Sequence, residues 1–204
     1  LPLALRREPE VALCVGHRDG DDLTAGEQGG EHALAVVLVL QIRGAALEAT
    51  RDVRVQRCLR GLAHDLVEHY SKGWESGKAM VVCIDKITCV RMHKLLKKCW
   101  ENRIELLKSE VKHAPDEQEL QFINRQIAWM EETQMVVVIS EEQGEVDKFR
   151  KWDLEKEILE HRKLIREGFT LNDGKRIDLE SAFKKPEHPF RIAIVCAMWL
   201  TGFD

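Results

Sequence analysis

Thr201, Gly202 and Asp204 place three kinds of binding chemistry within four residues. A threonine offers a hydroxyl, a glycine lets a ligand approach the backbone closely, and an aspartate can accept two hydrogen bonds from a ribose. They follow Phe190-Arg191-Ile192-Ala193-Ile194-Val195-Cys196, an apolar run of strand length, through Ala197-Met198-Trp199-Leu200. A polar, glycine-containing loop past the carboxyl end of a buried strand is where open α/β sheets bind ligands. The plainer alternative is a core strand followed by an ordinary loop.

The other candidate motifs are weaker. Gly73-Trp74-Glu75-Ser76-Gly77-Lys78-Ala79 has three residues between its glycines, where a phosphate loop has four. It also precedes a strand, whereas a phosphate loop leaves a strand and enters a helix so that its N–H groups face the phosphates. Gly168 to Lys175 has five residues between its glycines and follows a helix. No Walker A loop remains, and no Asp-Glu pair follows a strand to hold Mg²⁺. His64 and His69 fall on different faces of one helix, His161 lies in a charged helix and His188 in a proline-flanked loop, so surface or satisfied histidines are expected. No Ser, His and acid are grouped as a triad. The basic run Lys94, Lys97, Lys98 and Arg103 is interrupted by Glu101 and Glu105, which reads as a solvated helix face before a phosphate-binding one.

Six cysteines, at 14, 58, 83, 89, 99 and 196, form no Cys-x-x-Cys. Cys14 with His17 and Cys89 with His93 are close pairs, but neither has a second pair at zinc spacing. Reduced thiols are expected, with Cys83 and Cys196 acting as small hydrophobes in apolar strands.

A chain of 204 residues, 44% hydrophobic and 32% charged, has the composition of a globular domain with a sizeable core. Its net charge of −4 gives no global basic field, although a groove that tracks a strand needs only local positive charge. The longest apolar run, Ala33 to Leu40, is well short of the ~20 residues of a spanning helix, so no membrane partner and a cytoplasmic location are expected.

Character changes near residue 61. Residues 1–71 contain no Lys, Asn, Phe, Trp or Met, and their eight basic residues are all Arg; residues 72–204 hold all fifteen Lys and all five Trp. The bias follows GC-rich codons. Residues 1–60 are therefore expected to be a compositionally distinct segment, irregular or poorly ordered, with sequence not native to the domain at 61–204 as the preferred reading over a genuine N-terminal segment. Val36-Val37-Leu38-Val39-Leu40, bracketed by glycines, keeps a strand open as an option.

Beyond it, strands and helices alternate. Leu62 to Lys72 predicts a short amphipathic helix, and Ala79 to Ile84 a buried strand. Met92, Leu95, Leu96, Cys99 and Leu106 mark a long helix; Pro115-Asp116-Glu117 opens another, with the stripe Leu120, Ile123, Ile127 and Met130. Gln134 to Ile139 is a second strand, Gly144 to Arg166 one charged helix with Phe149, Leu154, Ile158 and Ile165 inward, Asn172-Asp173-Gly174 a turn, and Phe190 to Cys196 the third strand. The class predicted is α/β, an incomplete parallel sheet with flanking helices and an inserted helical hairpin between its first two strands.

Phe190 to Asp204, with its Met198-Trp199-Leu200-Thr201-Gly202-Phe203-Asp204 string, closely resembles helicase motif V of the R subunit of type I restriction enzymes. Asp65-Leu66-Val67-Glu68-His69-Tyr70, followed by Gly77-Lys78-Ala79-Met80-Val81-Val82-Cys83, resembles the start of the second RecA-like motor domain, with motif IV, in the same subunits. The resemblance spans roughly 61–204 and is diffuse in its charged middle. It implies a RecA-like sheet and a part of a superfamily 2 translocase that pulls duplex DNA past methylation and specificity subunits using ATP and Mg²⁺, and is fused to a nuclease. By resemblance, Gly202 and Asp204 would contact the nucleotide, Thr201 a DNA phosphate, and Asp85 and Lys86 the DNA-facing surface. The family often carries a Ser- and Arg-containing loop where this chain has Ile84-Asp85-Lys86-Ile87.

The family is an ATP-dependent site-specific deoxyribonuclease. Its nuclease carboxylates, Walker A loop, Asp-Glu box and motif VI arginine have no counterpart in this sequence. The expectation is a truncated motor domain, catalytically idle alone, whose partners are duplex DNA, the first motor domain and the methylation and specificity subunits. The alternatives are a stand-alone, non-catalytic α/β interaction module, which requires a complete sheet, or a degenerate remnant.

Overall fold

The computed structural model describes residues 11–16, 36–42, 53–74, 77–171 and 173–196. Strands β1 (Val11–Gly16) and β2 (Val36–Ile42) come first, then helix α1 (Val53–Lys72) and strand β3 (Ala79–Val82). Helices α2 (Lys86–Val111) and α3 (Glu117–Glu132) lead to β4 (Gln134–Val138). Helices α4 (Glu145–Arg150) and α5 (Glu155–Glu167) lead to a small hairpin, β5 (Phe169–Thr170) with β6 (Arg176–Ile177). Helix α6 (Leu179–Lys184) and strand β7 (Phe190–Val195) follow.

The main sheet has five strands in the order β1-β2-β3-β7-β4. Only β1 runs antiparallel to its neighbour; β2, β3, β7 and β4 are mutually parallel. The mixed α/β class and the parallel pairing of β3, β7 and β4 agree with the strand–helix alternation. The expectation of an irregular N-terminal part is corrected at 11–16 and 36–42. Both are apolar, valine-containing runs of strand length, and β2 pairs with what would otherwise be the open edge of β3. Helix α1 is also longer than its amphipathic second half suggested, because Val55 and Leu59 extend the buried stripe of Leu62, Leu66 and Tyr70 toward the N-terminus.

The sheet separates two apolar layers. Ala79, Val81, Cys83, Val137, Ile139, Ile192 and Ile194 face a thick helical layer of α1, α2, α3, α4 and the start of α5. Met80, Val82, Val136, Val138, Phe190, Ala193 and Val195 face a thinner layer, in which the β5–β6 hairpin and α6 contribute Phe169, Ile177, Leu179 and Phe183. All six residues of β7 are buried, as a central strand covered on both faces requires.

One residue breaks the alternation. Gln134 pairs with Phe190, but Met135 pairs with Ile192, so Arg191 is the extra residue of a bulge. The bulge turns Phe190 toward the thin layer while Arg191 reaches the helical side. There Arg191 Nη1 donates to the Trp129 carbonyl at 3.0 Å and to Thr133 Oγ1 at 3.1 Å. Its guanidinium also lies 4.8 Å from the centre of the Trp129 ring.

The helical hairpin of α2 and α3 is tied into the main core rather than appended to it. Asp85 caps α2 and Asp116 caps α3, each accepting from a backbone N–H three residues on. Trp100 Nε1 donates to the Met130 carbonyl at 2.9 Å across the hairpin. Tyr70, Trp100 and Trp129 cluster with centroids 5.5–6.1 Å apart. Leu106, placed inward by the sequence reading, is 53% exposed, and its neighbour Leu107 is buried instead. The stripe runs through Leu96, Trp100, Ile104 and Leu107, steps of four and three that leave Leu106 off the face.

The single charged helix expected over 144–166 is two helices. Phe149, Leu154 and Ile158 are all buried, yet the first two stand five positions apart, a step that a continuous helix would turn to different faces. The chain breaks at 151–154 instead: Asp153 adopts a positive φ of 56°, and Leu154 N donates to the Phe149 carbonyl. Of the Asn172-Asp173-Gly174 turn, Gly174 N donates to the Leu171 carbonyl, closing the β5–β6 hairpin; Asn172 lies outside the described residues.

Gly168 ends α5 at φ +67°, and a Cβ there would fall 2.3 Å from the Ile177 carbonyl oxygen. Gly144 has a similar φ of +72° but open space around it. Gly168→Ala is therefore expected to cost more than ~2 kcal/mol in urea unfolding, with Gly144→Ala costing about 1 kcal/mol, the left-handed strain alone. Equal losses would contradict the close approach of Gly168 to β6.

Candidate functional site

The carboxyl ends of the parallel strands gather the residues able to do chemistry. Thr201, Gly202 and Asp204 lie outside the described residues. The chain leads toward them from β7, whose Val195 carbonyl accepts from Cys83 N at 2.8 Å, aligning the ends of β3 and β7.

Asp85 and Lys86 follow β3 at this edge. Asp85 is the N-cap of α2, where one carboxylate oxygen accepts Thr88 N at 2.7 Å and the other accepts Thr88 Oγ1 at 3.0 Å. Its carboxylate is thus engaged by the start of the helix. Lys86 reaches across to Glu142 beyond β4, at 3.5 Å, and Glu142 also accepts from Lys148 at 2.5 Å. The Lys148 bond, reinforced by Lys86, holds the Glu142 carboxyl below its ordinary range.

Beyond β4, the edge is fixed by a buried guanidinium. Arg162 Nε donates to Glu145 Oε1 at 2.6 Å, and its Nη2 to Glu145 Oε2 at 2.7 Å. The Nη2 also donates to the Ser140 carbonyl at 2.8 Å, and Nη1 donates to the Ile139 carbonyl. Both side chains are 5% exposed. A buried bidentate pair whose guanidinium also donates to two backbone carbonyls couples the end of β4 to the first turn of α4 and to α5.

Three thiols lie beside Asp85. Cys83 and Cys196 continue the β3 and β7 register one residue past Val82 and Val195, and both pack on the helical side. Cys89, in the first turns of α2 and fully buried, meets both from below in thiol–thiol hydrogen bonding. Cys196 is only partly buried, with its Sγ 3.6 Å from the Ile84 carbonyl. Cys89 donates to it, which lowers the Cys196 thiol to about 7; the same interaction, then Cys83 and burial, keeps Cys89 protonated.

The remaining candidates resolve into structural roles. Lys78 of the phosphate-loop look-alike is 5% exposed. It donates to the Ala182 carbonyl at 2.9 Å and lies over the Phe183 ring. Burial first, and Arg191 second, pull its amine down to about 8. His188 Nδ1 accepts from Phe190 N at 3.1 Å and its ring packs on Phe169. His161 is not a surface residue of a charged helix. It is buried, edge-to-face with His93, with ring centroids 4.4 Å apart. The sequence neighbours Cys89 and His93 thus part company, one to the thiols and the other to His161. Among the described residues, no group of three or more His, Cys, Asp or Glu is arranged to hold a metal ion, and no helix is long and apolar enough to cross a membrane.

Arg162, Glu145 and Cys89 are the residues of this edge that sequence reasoning did not place. Arg162 and Glu145 stand 17 residues apart with no local motif. The one available signal was the spacing of Phe149 and Leu154, which breaks the helix and brings the two ends together. No family model, curated protein or solved structure matches the chain.

Two outcomes follow from these buried groups. Glu145→Ala leaves the Arg162 charge buried without its partner and is expected to cost about 3–5 kcal/mol in chemical denaturation; a loss below 1 kcal/mol would refute the coupling. The histidine pair makes stability pH-dependent. Burial first, with Lys97 next for His93 and His93 itself for His161, lowers the imidazoles from 6.5 to about 4 and about 3, Glu157 opposing and Arg162 adding to the effect on His161. Between pH 6.5 and 4 the unfolded chain therefore binds more protons, so the stabilisation is full above 6.5 and is lost as pH falls. Unfolding free energy is expected to drop by about 2 kcal/mol for each histidine, about 4 kcal/mol for the pair, between pH 7 and 5, and His93→Leu with His161→Phe should flatten that slope.

Proposed function

We propose that this chain forms one wall of an ATP-driven DNA motor of the type I restriction R-subunit kind, with a RecA-like sheet as its scaffold. The observation that carries the reading is β7. It is a parallel strand in the middle of the sheet, buried at all six positions, and it delivers the chain at the carboxyl edge toward Thr201-Gly202-Phe203-Asp204. Open parallel sheets bind nucleotides at that edge.

In this reading Asp204 accepts the ribose hydroxyls, Gly202 permits the close approach and Thr201 meets a DNA phosphate. ATP with its Mg²⁺ rests chiefly against a first motor domain, and this chain closes over it. The described edge fits a closing role: Asp85 is engaged by the start of α2, and the available cation is Lys86. Its pair with Glu142 is solvent-exposed and long at 3.5 Å, a weak kind of ion pair, so Lys86 can exchange it for a DNA phosphate. Duplex DNA, the first motor domain and the methylation and specificity subunits are the partners proposed.

A second reading, a non-catalytic α/β interaction module, is favoured by β1 and β2. They extend the sheet beyond β3 and supply the additional strands that such a module needs.

Titration of a fluorescent duplex with the purified chain separates the two. The motor reading expects weak, salt-sensitive binding that Lys86→Glu and Thr201→Ala each reduce about tenfold or more, and no DNA-stimulated ATP hydrolysis by the chain alone. Binding that neither substitution alters, or ATP turnover by the isolated chain, would overturn it. A cooperatively folding chain with no duplex affinity would favour the interaction module.

A further inference from the structure

We propose that Cys196 and Cys89 are a peroxide-oxidisable thiol pair, a redox modification site at the carboxyl edge of the sheet. The inference is independent of the motor reading. It begins with register. Val82 pairs with Val195, and Cys83 N donates to the Val195 carbonyl at 2.8 Å, so Cys83 and Cys196 are level at the ends of adjacent parallel strands. Cys89 comes to the same point from α2, whose start is fixed by the Asp85 cap.

The plain reading of three such cysteines is apolar packing, and Cys83 fits it at 4% exposed. Cys196 departs from it. It is partly open to solvent, and it receives the Cys89 S–H, which favours its anionic form against burial and the Asp85 carboxylate, with Lys86 adding a smaller favourable effect. An accessible thiolate beside a buried thiol is the arrangement of an attacking and a resolving cysteine. Cys58 and Cys99, in contrast, are held above the ordinary thiol range by burial.

The chemistry balances with hydrogen peroxide as oxidant. The Cys196 thiolate attacks one peroxide oxygen, an S–O bond forms, the O–O bond breaks, and the departing hydroxide takes a proton and leaves as water. The Cys89 sulfur then attacks the Cys196 sulfenic sulfur, an S–S bond forms, and the second hydroxide leaves as water with the Cys89 proton. Two thiols and one peroxide become one disulfide and two waters. The product ties the end of β7 to the first turns of α2.

The test uses the reduced full chain with stoichiometric hydrogen peroxide, followed by intact mass and tryptic mapping under non-reducing conditions. The expected product has lost about 2 Da and links the peptide 87–91 to the peptide 192–204, which separates Cys89 from Cys83 in 79–86 and from Cys99 in 99–103. In Cys89→Ser, which keeps a hydroxyl donor where Cys89 lowers the Cys196 thiol, dimedone is expected to trap sulfenic acid on Cys196 at least about tenfold faster than on Cys58 or Cys99, an advantage that Cys89→Ala should reduce. Linkage through Cys83, equal labelling of Cys58 and Cys99, or no mass loss would overturn the assignment, and the wild-type mapping decides even if neither variant folds.

Discussion

The bulge at Arg191 sets the phase of the strand on which both layers rest. Beyond it, Ile192 and Ile194 face the helices, and Ala193 and Val195 face the hairpin and α6. A shift of one residue would exchange those sets and put alanine and valine where the helical layer needs isoleucine. The extra residue must itself be housed, and a guanidinium with donors on several sides suits the place. It bonds the last turn of α3 and Thr133 and stacks on Trp129, whose ring also meets Tyr70 and Trp100. The central strand is thereby fastened to the corner where α1, α2 and α3 converge.

That phase also decides the chemistry at the other end of β7. Cys196 lies an even number of residues past Ile192 and Ile194, so it continues on the helical side and meets Cys89 and Cys83. The floor of the edge is held by two polar devices: the Asp85 cap at the entry to α2 and the Arg162–Glu145 pair beyond β4. They differ in kind. The cap is local and satisfies donors that every helix start leaves open. The ion pair spans two helices and a strand end, and its stabilising effect depends on its being complete, since a single buried charge costs far more than the pair contributes.

Apolar periodicity made much of the fold legible. The strands at 79–84, 134–139 and 190–196, the two long helices and the aspartate that opens α3 all follow from spacing and capping residues. What escaped had non-local causes. The helix break near Asp153 follows from Phe149 and Leu154 needing the same core face. The burial of His161 depends on His93, which reaches it from another helix. Strands β1 and β2 stand in a stretch whose composition follows codon bias, and the pairing of β1 with β2 and of β2 with β3 leaves no local trace. Of the candidate site, Asp85 and Lys86 follow β3, with the Asp85 carboxylate engaged in capping α2. Thr201, Gly202 and Asp204 lie outside the described residues.

A strand buried on both faces is a poor place for polar side chains, and β7 carries its one cation at the bulge and its one thiol just past its end. Chemistry is therefore displaced to where the sheet stops covering the backbone. At that point the neighbouring strand ends and the cap of α2 already hold the geometry, so a reactive group there needs no support of its own. The same economy serves either reading of the chain. A motor wall needs a rigid strand end to aim Thr201 and Asp204, and an interaction module needs a rigid edge to present Lys86 and Glu142. In both, rigidity comes from the layers beneath: Arg162 and Glu145 beyond β4, and Arg191 at the start of β7, are buried within the fold, while Lys86 and Cys196 lie closer to solvent.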